Sequence, residues 1–251
     1  MLLAGVAALF FVAPLTGLLW RTPWGEVSRQ LAGSEVRQAL GLSIACSLAA
    51  TAASVLFGVP LAWVLARARF PGRRLLRALT TLPMVLPPVV GGVALLLAFG
   101  RAGLVGQWME RWFGLSLPFT TAGVVVAETF VAMPFLVITA EAGFRGADRR
   151  LEEAARTLGA HPWTVFRRVT LPLVWPSLAA GSVLCWARAI GEFGATITFA
   201  GNFPGRTQTT PLKVYLLLET SPEAAIVLSL VLLVVSLAVL VGLRSRWLGS
   251  A

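Results

Sequence analysis

Residues able to do chemistry are scarce in this chain, and none stands in catalytic company. His161 is the single histidine and Cys46 and Cys185 the two cysteines. Hydrolysis needs a positioned acid and base, and this histidine lies in a hydrophilic loop with no paired carboxylate to work with. Both cysteines fall in apolar stretches, where a thiol acts as a small buried hydrophobe, so neither a disulfide framework nor a metal site is expected. Lys213, the only lysine among 21 cationic residues, follows Leu212; a Walker loop needs Gly-Lys followed by Ser or Thr. The chain is therefore expected to have no catalytic residues, no metal, and no nucleotide site of its own. What remains is charge in apolar surroundings, Glu128 and Arg188, and charge at mid-bilayer is costly enough to mark a function or a fixed pairing.

The elements that must hold those charges are membrane spans. Of 251 residues 57% are apolar and only 13% charged, about half the charge of an average soluble domain. Charge-free blocks run over 1–20, 38–66, 78–100, 169–187 and 224–243, and a sixth, 119–140, is interrupted only by Glu128. Each is near the ~20 residues a helix needs to cross a bilayer. An all-α integral membrane protein with six transmembrane helices follows. Residues 1–20 lack a basic leader, Arg21 being the first charge, so the segment reads as a retained span rather than a signal peptide. With the N-terminus cytoplasmic, the inside segments 67–77, 141–168 and the tail after Leu243 hold thirteen arginines, against seven cations outside. That asymmetry predicts both termini in the cytoplasm. It also explains the net charge of +10 without nucleic acid, because the cations sit in short loops between spans. Trp20, Trp24, Trp112 and Trp247 near span ends fit interfacial anchoring. Pro14, Pro60, Pro83, Pro87, Pro88 and Pro134 interrupt spans, either shaping the bundle or marking a hinge or pathway lining.

The longest inside loop, 146–172, has the densest pattern. Asp148 is a good N-cap, Glu152 and Glu153 place negative charge in the first turns, and Gly159 is a good stop. A helix of about three turns is expected, with Leu151, Ala154, Ala155 and Leu158 along one face. Pro162 can open a second short helix through Arg168, and Pro172 marks the entry to the fifth span. A short amphipathic helix of this kind suits either a groove in another protein or lipid headgroups.

Spacing separates these readings. Glu153-Ala154-Ala155, then Gly159, then Val169, Leu171 and Pro172 closely resemble the coupling loop of ABC importer permeases, with one Ile-to-Val change. The likeness extends over about 36–244. It includes Leu82-Pro83-Met84-Val85-Leu86-Pro87-Pro88-Val89-Val90, the stretch Ala187 to Thr196, and Gln208-Thr209-Thr210-Pro211-Leu212, all similar to molybdate permeases. Sulfate permeases tend to carry Tyr at the position of Phe193 and Ser at that of Ala195. The resemblance implies the type I importer permease fold, with an ABC transmembrane domain over 36–244 preceded by a first helix and outer loop, 1–35, and followed by a short tail, 245–251. It implies that Glu153, Ala154, Ala155, Gly159, Leu171 and Pro172 couple the permease to a cytoplasmic ABC ATPase dimer, which binds ATP and Mg. A second copy of the chain, a periplasmic oxyanion-binding protein and membrane lipid are the other implied partners, and the cell inner membrane the location.

Arg188, Glu192, Thr196, Glu128, Pro87 and Pro88 are the candidates for pathway or gate. At 1.5 Å per residue Arg188 is roughly 28 Å from the inner end of its helix, near the outer mouth, where a cation would attract an oxyanion. Alternatively Arg188 pairs with Glu192 one turn on, or reaches Glu128; a path that held its anion tightly would release it slowly, which favours pairing. Gly91, Gly92, Gly191 and Gly194 allow close helix contact. Transport of molybdate is the expected function, with tungstate or sulfate as alternatives of the same tetrahedral shape. An ion-coupled secondary carrier built on Glu128 and Arg188 is the more distant reading.

Overall fold

The computed structural model describes residues 1–247, with side chains through residue 239. The expected tail, from residue 248 on, and the side chain of Trp247 lie outside the described residues. In chain order come α1 (Leu2–Arg21), α2 (Val27–Ala32), α3 (Ser34–Arg67), α4 (Arg73–Thr81), a 3-10 turn (Leu82–Met84), α5 (Pro88–Phe99), α6 (Gly106–Phe113) and α7 (Thr121–Gly146). They are followed by α8 (Arg149–Thr157), α9 (Pro162–Val165), a π-turn (Phe166–Thr170), α10 (Leu171–Ile190), α11 (Gly194–Phe199), α12 (Thr210–Thr220) and α13 (Pro222–Trp247).

Five of the six expected spans are long apolar helices, but the third is broken. Its two halves, Arg73–Met84 and Pro88–Phe99, meet at a bend of 118°. The reason is local. Proline forces the preceding residue out of the helical region, and Pro87 takes ψ 131° before Pro88 opens α5. Pro14, Pro60 and Pro134, by contrast, lie inside helices that continue through them, so they shape the bundle without dividing it. A second difference lies at the entrance to α10. The short helix opened by Pro162 does not stop at Arg168; it runs through the π-turn into α10, where the Leu171 amide bonds the Phe166 carbonyl. The widened turn carries the helix past Pro172, which has no amide to donate.

α7 is the mast of the bundle. Along it, Val124 packs with Cys46 and Ala200, Ala127 and Val131 with Leu95, Ala195 and Phe199, and Ala132 and Leu136 with Ala50, Cys185 and Ala189. Val137, Ala140 and Phe144 then meet Ala62, Leu65, Val174 and Leu178. Alanine at so many contacts lets helices approach closely where hydrophobic exclusion gives no drive. α12 is pinned to α3 by polar bonds: the Thr210 amide donates to Ser43 Oγ at 2.7 Å and the Thr210 hydroxyl to the Ala39 carbonyl at 3.2 Å. α1 buries none of its residues and packs against α13.

Candidate functional site: a coupling loop and a charged gate region

The loop between α7 and α10 folds from its own caps. Asp148 Oδ1 accepts the Arg150 amide at 2.9 Å and starts α8. Gly159 takes φ 84°, a left-handed conformation that glycine adopts without penalty, and ends it. His161 Nδ1 accepts the Trp163 amide at 3.3 Å, so the sole histidine caps α9. On α8, Leu151, Ala154 and Leu158 stand exposed, Leu158 at 88%. Three of the four residues of the expected apolar face are therefore bare in the isolated chain, Ala155 being half-buried, with Glu153 exposed beside them. Leu171 packs on the inner core, and Pro172 is exposed in the first turn of α10.

What fastens α8 to the bundle is Glu152, which sequence reasoning credits only with helix-terminal charge. Its Oε1 accepts Arg67 Nη2, from the last residue of α3, at 2.7 Å and the Thr170 hydroxyl at 3.0 Å. Glu152 thus ties the loop to both α3 and the start of α10. A second unforeseen knot lies nearby: Glu141 of α7 receives Arg77 Nη2 at 2.5 Å and Arg145 Nη2 at 2.7 Å. Arg145 at i+4 was a visible signal for this knot; Arg77, 64 residues away, was not.

The gate candidates gather at the other end of α10, about 26 Å from Leu171 by helix rise. Arg188 Nη1 lies 2.6 Å from Glu192 Oε2, the pairing favoured from the sequence. Glu192 is buried and its other oxygen accepts the Ala195 amide at 2.8 Å, so it also caps α11. α5 then presses on α11: a Cβ on Gly194 would lie 2.9 Å from Pro88 Cβ, and one on Gly92 would lie 2.6 Å from Thr198 Cβ. Pro87 stands at the N-cap position of α5. Thr196 is fully buried with its hydroxyl unpartnered, and Glu128 is buried on α7 with Oε2 unpartnered. Thr196 lies on α11 and Glu128 on α7, two helices that pack together. The structure therefore pairs Arg188 with Glu192 and seats Pro88 against Gly194 at the start of α11, the helix that carries Thr196, with Glu128 on the neighbouring α7, and it keeps these residues apart from the coupling loop.

Residues 54–250 match the family described as binding-protein-dependent transport system inner membrane component. The chain belongs to this family. It is a multi-pass permease subunit of an ABC transport system, in which a separate subunit hydrolyses ATP. Among its relatives, the molybdenum transport system permease protein ModB of Mycobacterium tuberculosis is 49% identical over 245 residues, 97% of this chain and 92% of that protein. ModB of Escherichia coli K12 is 43% identical over 211 residues, covering 84% of this chain and 92% of that protein. The sulfate transport system permease protein CysT of Escherichia coli K12 is 35% identical over 241 residues, 94% and 87% of the two chains. The fold is shared with a bacterial alginate ABC transporter solved in complex with a pentasaccharide-bound periplasmic protein, at TM-score 0.75 and 20% identity over 100% of this chain and 94% of that one.

Proposed function

We propose that this permease imports molybdate, as a homodimer served by a cytoplasmic ABC ATPase dimer and an external oxyanion-binding protein, with both termini in the cytoplasm. The observation that carries the reading is the 49% identity, over nearly the full length, to a permease named for molybdenum transport, against 35% to one named for sulfate. The bare face of α8 supports the ATPase partnership. Leu151, Ala154 and Leu158 offer a narrow apolar ridge, and Glu153, Arg149 and Arg156 border it with charge, the composition of a helix that seats in a protein groove. Glu152 holds that ridge to α3 and α10, so force applied at α8 reaches two spans directly. At the far end, Arg188 is ion-paired with Glu192, so this cation is not free to trap a dianion, which suits passage rather than tight binding.

ATP-dependent uptake of labelled molybdate into proteoliposomes, with the chain, its ATPase and its binding protein, tests the reading. Uptake that withstands excess sulfate and is abolished by Glu153→Arg is the expected result. Loss to sulfate reassigns the substrate, and uptake without ATP overturns the mechanism.

A further inference from the structure

The turn Phe70-Pro71-Gly72, with Gly72 at φ 85°, leads from α3 into a helix whose start is electrostatically wrong. α4 opens with Arg73 and Arg74, has no side-chain cap and has no acid in its first turn. A helix N-terminus carries roughly half a positive charge, so two arginines there oppose it. Three more gather alongside. Arg69, Arg73, Arg74, Arg77 and Arg145 line a groove of about 490 Å³. Glu141 answers Arg77 and Arg145. Among the described residues no carboxylate pairs with Arg69, Arg73 or Arg74, and Arg73 Nε is shut off from solvent without a hydrogen-bond partner. The groove lies at the coupling-loop end of the molecule, because Arg67 at the foot of α3 is the residue that grips Glu152 of α8. Phe70, Leu75 and Leu79 are exposed close by, and on the helical wheel Leu75 and Leu79 fall opposite the arginine sector, the cross-section of a helix at a lipid interface.

We propose that this groove binds a phosphate group, tetrahedral and anionic, held by Arg69, Arg73 and Arg74 at the start of α4. An uncapped helix start and forked guanidinium donors are the two devices proteins use for such groups, and here they coincide without a carboxylate to satisfy them. The phosphate belongs to an anionic lipid headgroup, whose acyl chains the exposed leucines would meet, or to a free oxyanion; basic pockets at the cytoplasmic edge of spans suit the first.

The full chain in complex with its ATPase separates the sources. In neutral detergent, phosphatidylglycerol and phosphatidylcholine are titrated and bound lipid is counted by native mass spectrometry, while inorganic phosphate is titrated by calorimetry. Each surface cation contributes roughly a factor of five toward an anionic lipid. The triple variant Arg69→Gln, Arg73→Gln, Arg74→Gln should therefore lose about a hundredfold in phosphatidylglycerol affinity. Arg74→Gln alone should lose about fivefold, and because Arg74 is exposed it gives the answer even where the triple variant fails to assemble. Arg167→Gln with Arg168→Gln, exposed cations outside the groove, should change affinity less than twofold. Loss confined to the phosphate titration assigns the site to a free oxyanion. Unchanged binding of both probes in the groove variants, or an equal loss in the Arg167 and Arg168 control, overturns the site.

Discussion

Two neighbouring glutamates on α8 stand in opposite surroundings. Glu152 is bonded to Arg67 and Thr170, whereas Glu153 is exposed. Glu152→Gln removes a hydrogen-bonded charge from a partly buried arginine and should lower stability by roughly 2 kcal/mol. Glu153→Gln should stay within about 0.5 kcal/mol while weakening ATP-dependent uptake. Thermal unfolding of the purified chain alongside uptake assays checks the contrast, and equal destabilisation would refute it. At the C-terminal end of α10, Arg188→Gln strands the buried Glu192 carboxylate, a change that costs about 3 kcal/mol for a buried pair, less here because Arg188 remains 28% exposed. Adding Glu192→Gln should restore part of that loss. A double variant no more stable than Arg188→Gln would show that the two charges are not coupled. The i,i+4 spacing made this pair legible from sequence; Arg67 with Glu152, 85 residues apart, offered no local signal.

Between elements, the tight contact of α5 with α11 rests on glycine. Gly92→Ala would bring a Cβ to 2.6 Å from Thr198 Cβ and 2.9 Å from the Ala195 carbonyl; backbone cannot swing aside, so the helices must part, at about 1–3 kcal/mol. Gly91→Ala meets only the Phe130 ring edge, at 3.1 Å, which can rotate away. The Gly92 variant should therefore unfold several degrees below the Gly91 variant in thermal scans, and matched melting would dismiss the contact. Helix existence was readable because each span is predominantly apolar over about 20 residues, Glu128 being the one acid deep inside one. The 118° break was readable only as a concentration of prolines, since their number fixes where a helix must stop and not where the next one points.

For the molecule as a whole, orientation is the open consequence of the arginine asymmetry. In a chain with Cys46 and Cys185 replaced by serine, Leu158→Cys on α8 should react with a membrane-impermeant maleimide only from the cytoplasmic side. Arg206→Cys should react only from the outside; both sites are exposed in the fold. The reverse pattern would invert the topology and remove α8 from reach of a cytoplasmic ATPase. α1, apolar and with none of its residues buried, touches the rest of the bundle through α13.

The amino-acid order alone determined which segments are long and apolar enough to cross the membrane and which loop carries the coupling pattern. A bilayer penalises charge residue by residue, so hydropathy needs no tertiary knowledge, and the coupling loop is a local pattern closed by its own caps. Only the fold decided which charges are spent on structure. Arg67 reaches Glu152, Arg77 reaches Glu141, and Arg69, Arg73 and Arg74 find no carboxylate among the described residues, because an ion pair forms where distant helices bring side chains within bonding distance, and that distance is written in the packing of α3, α4, α7 and α8 together.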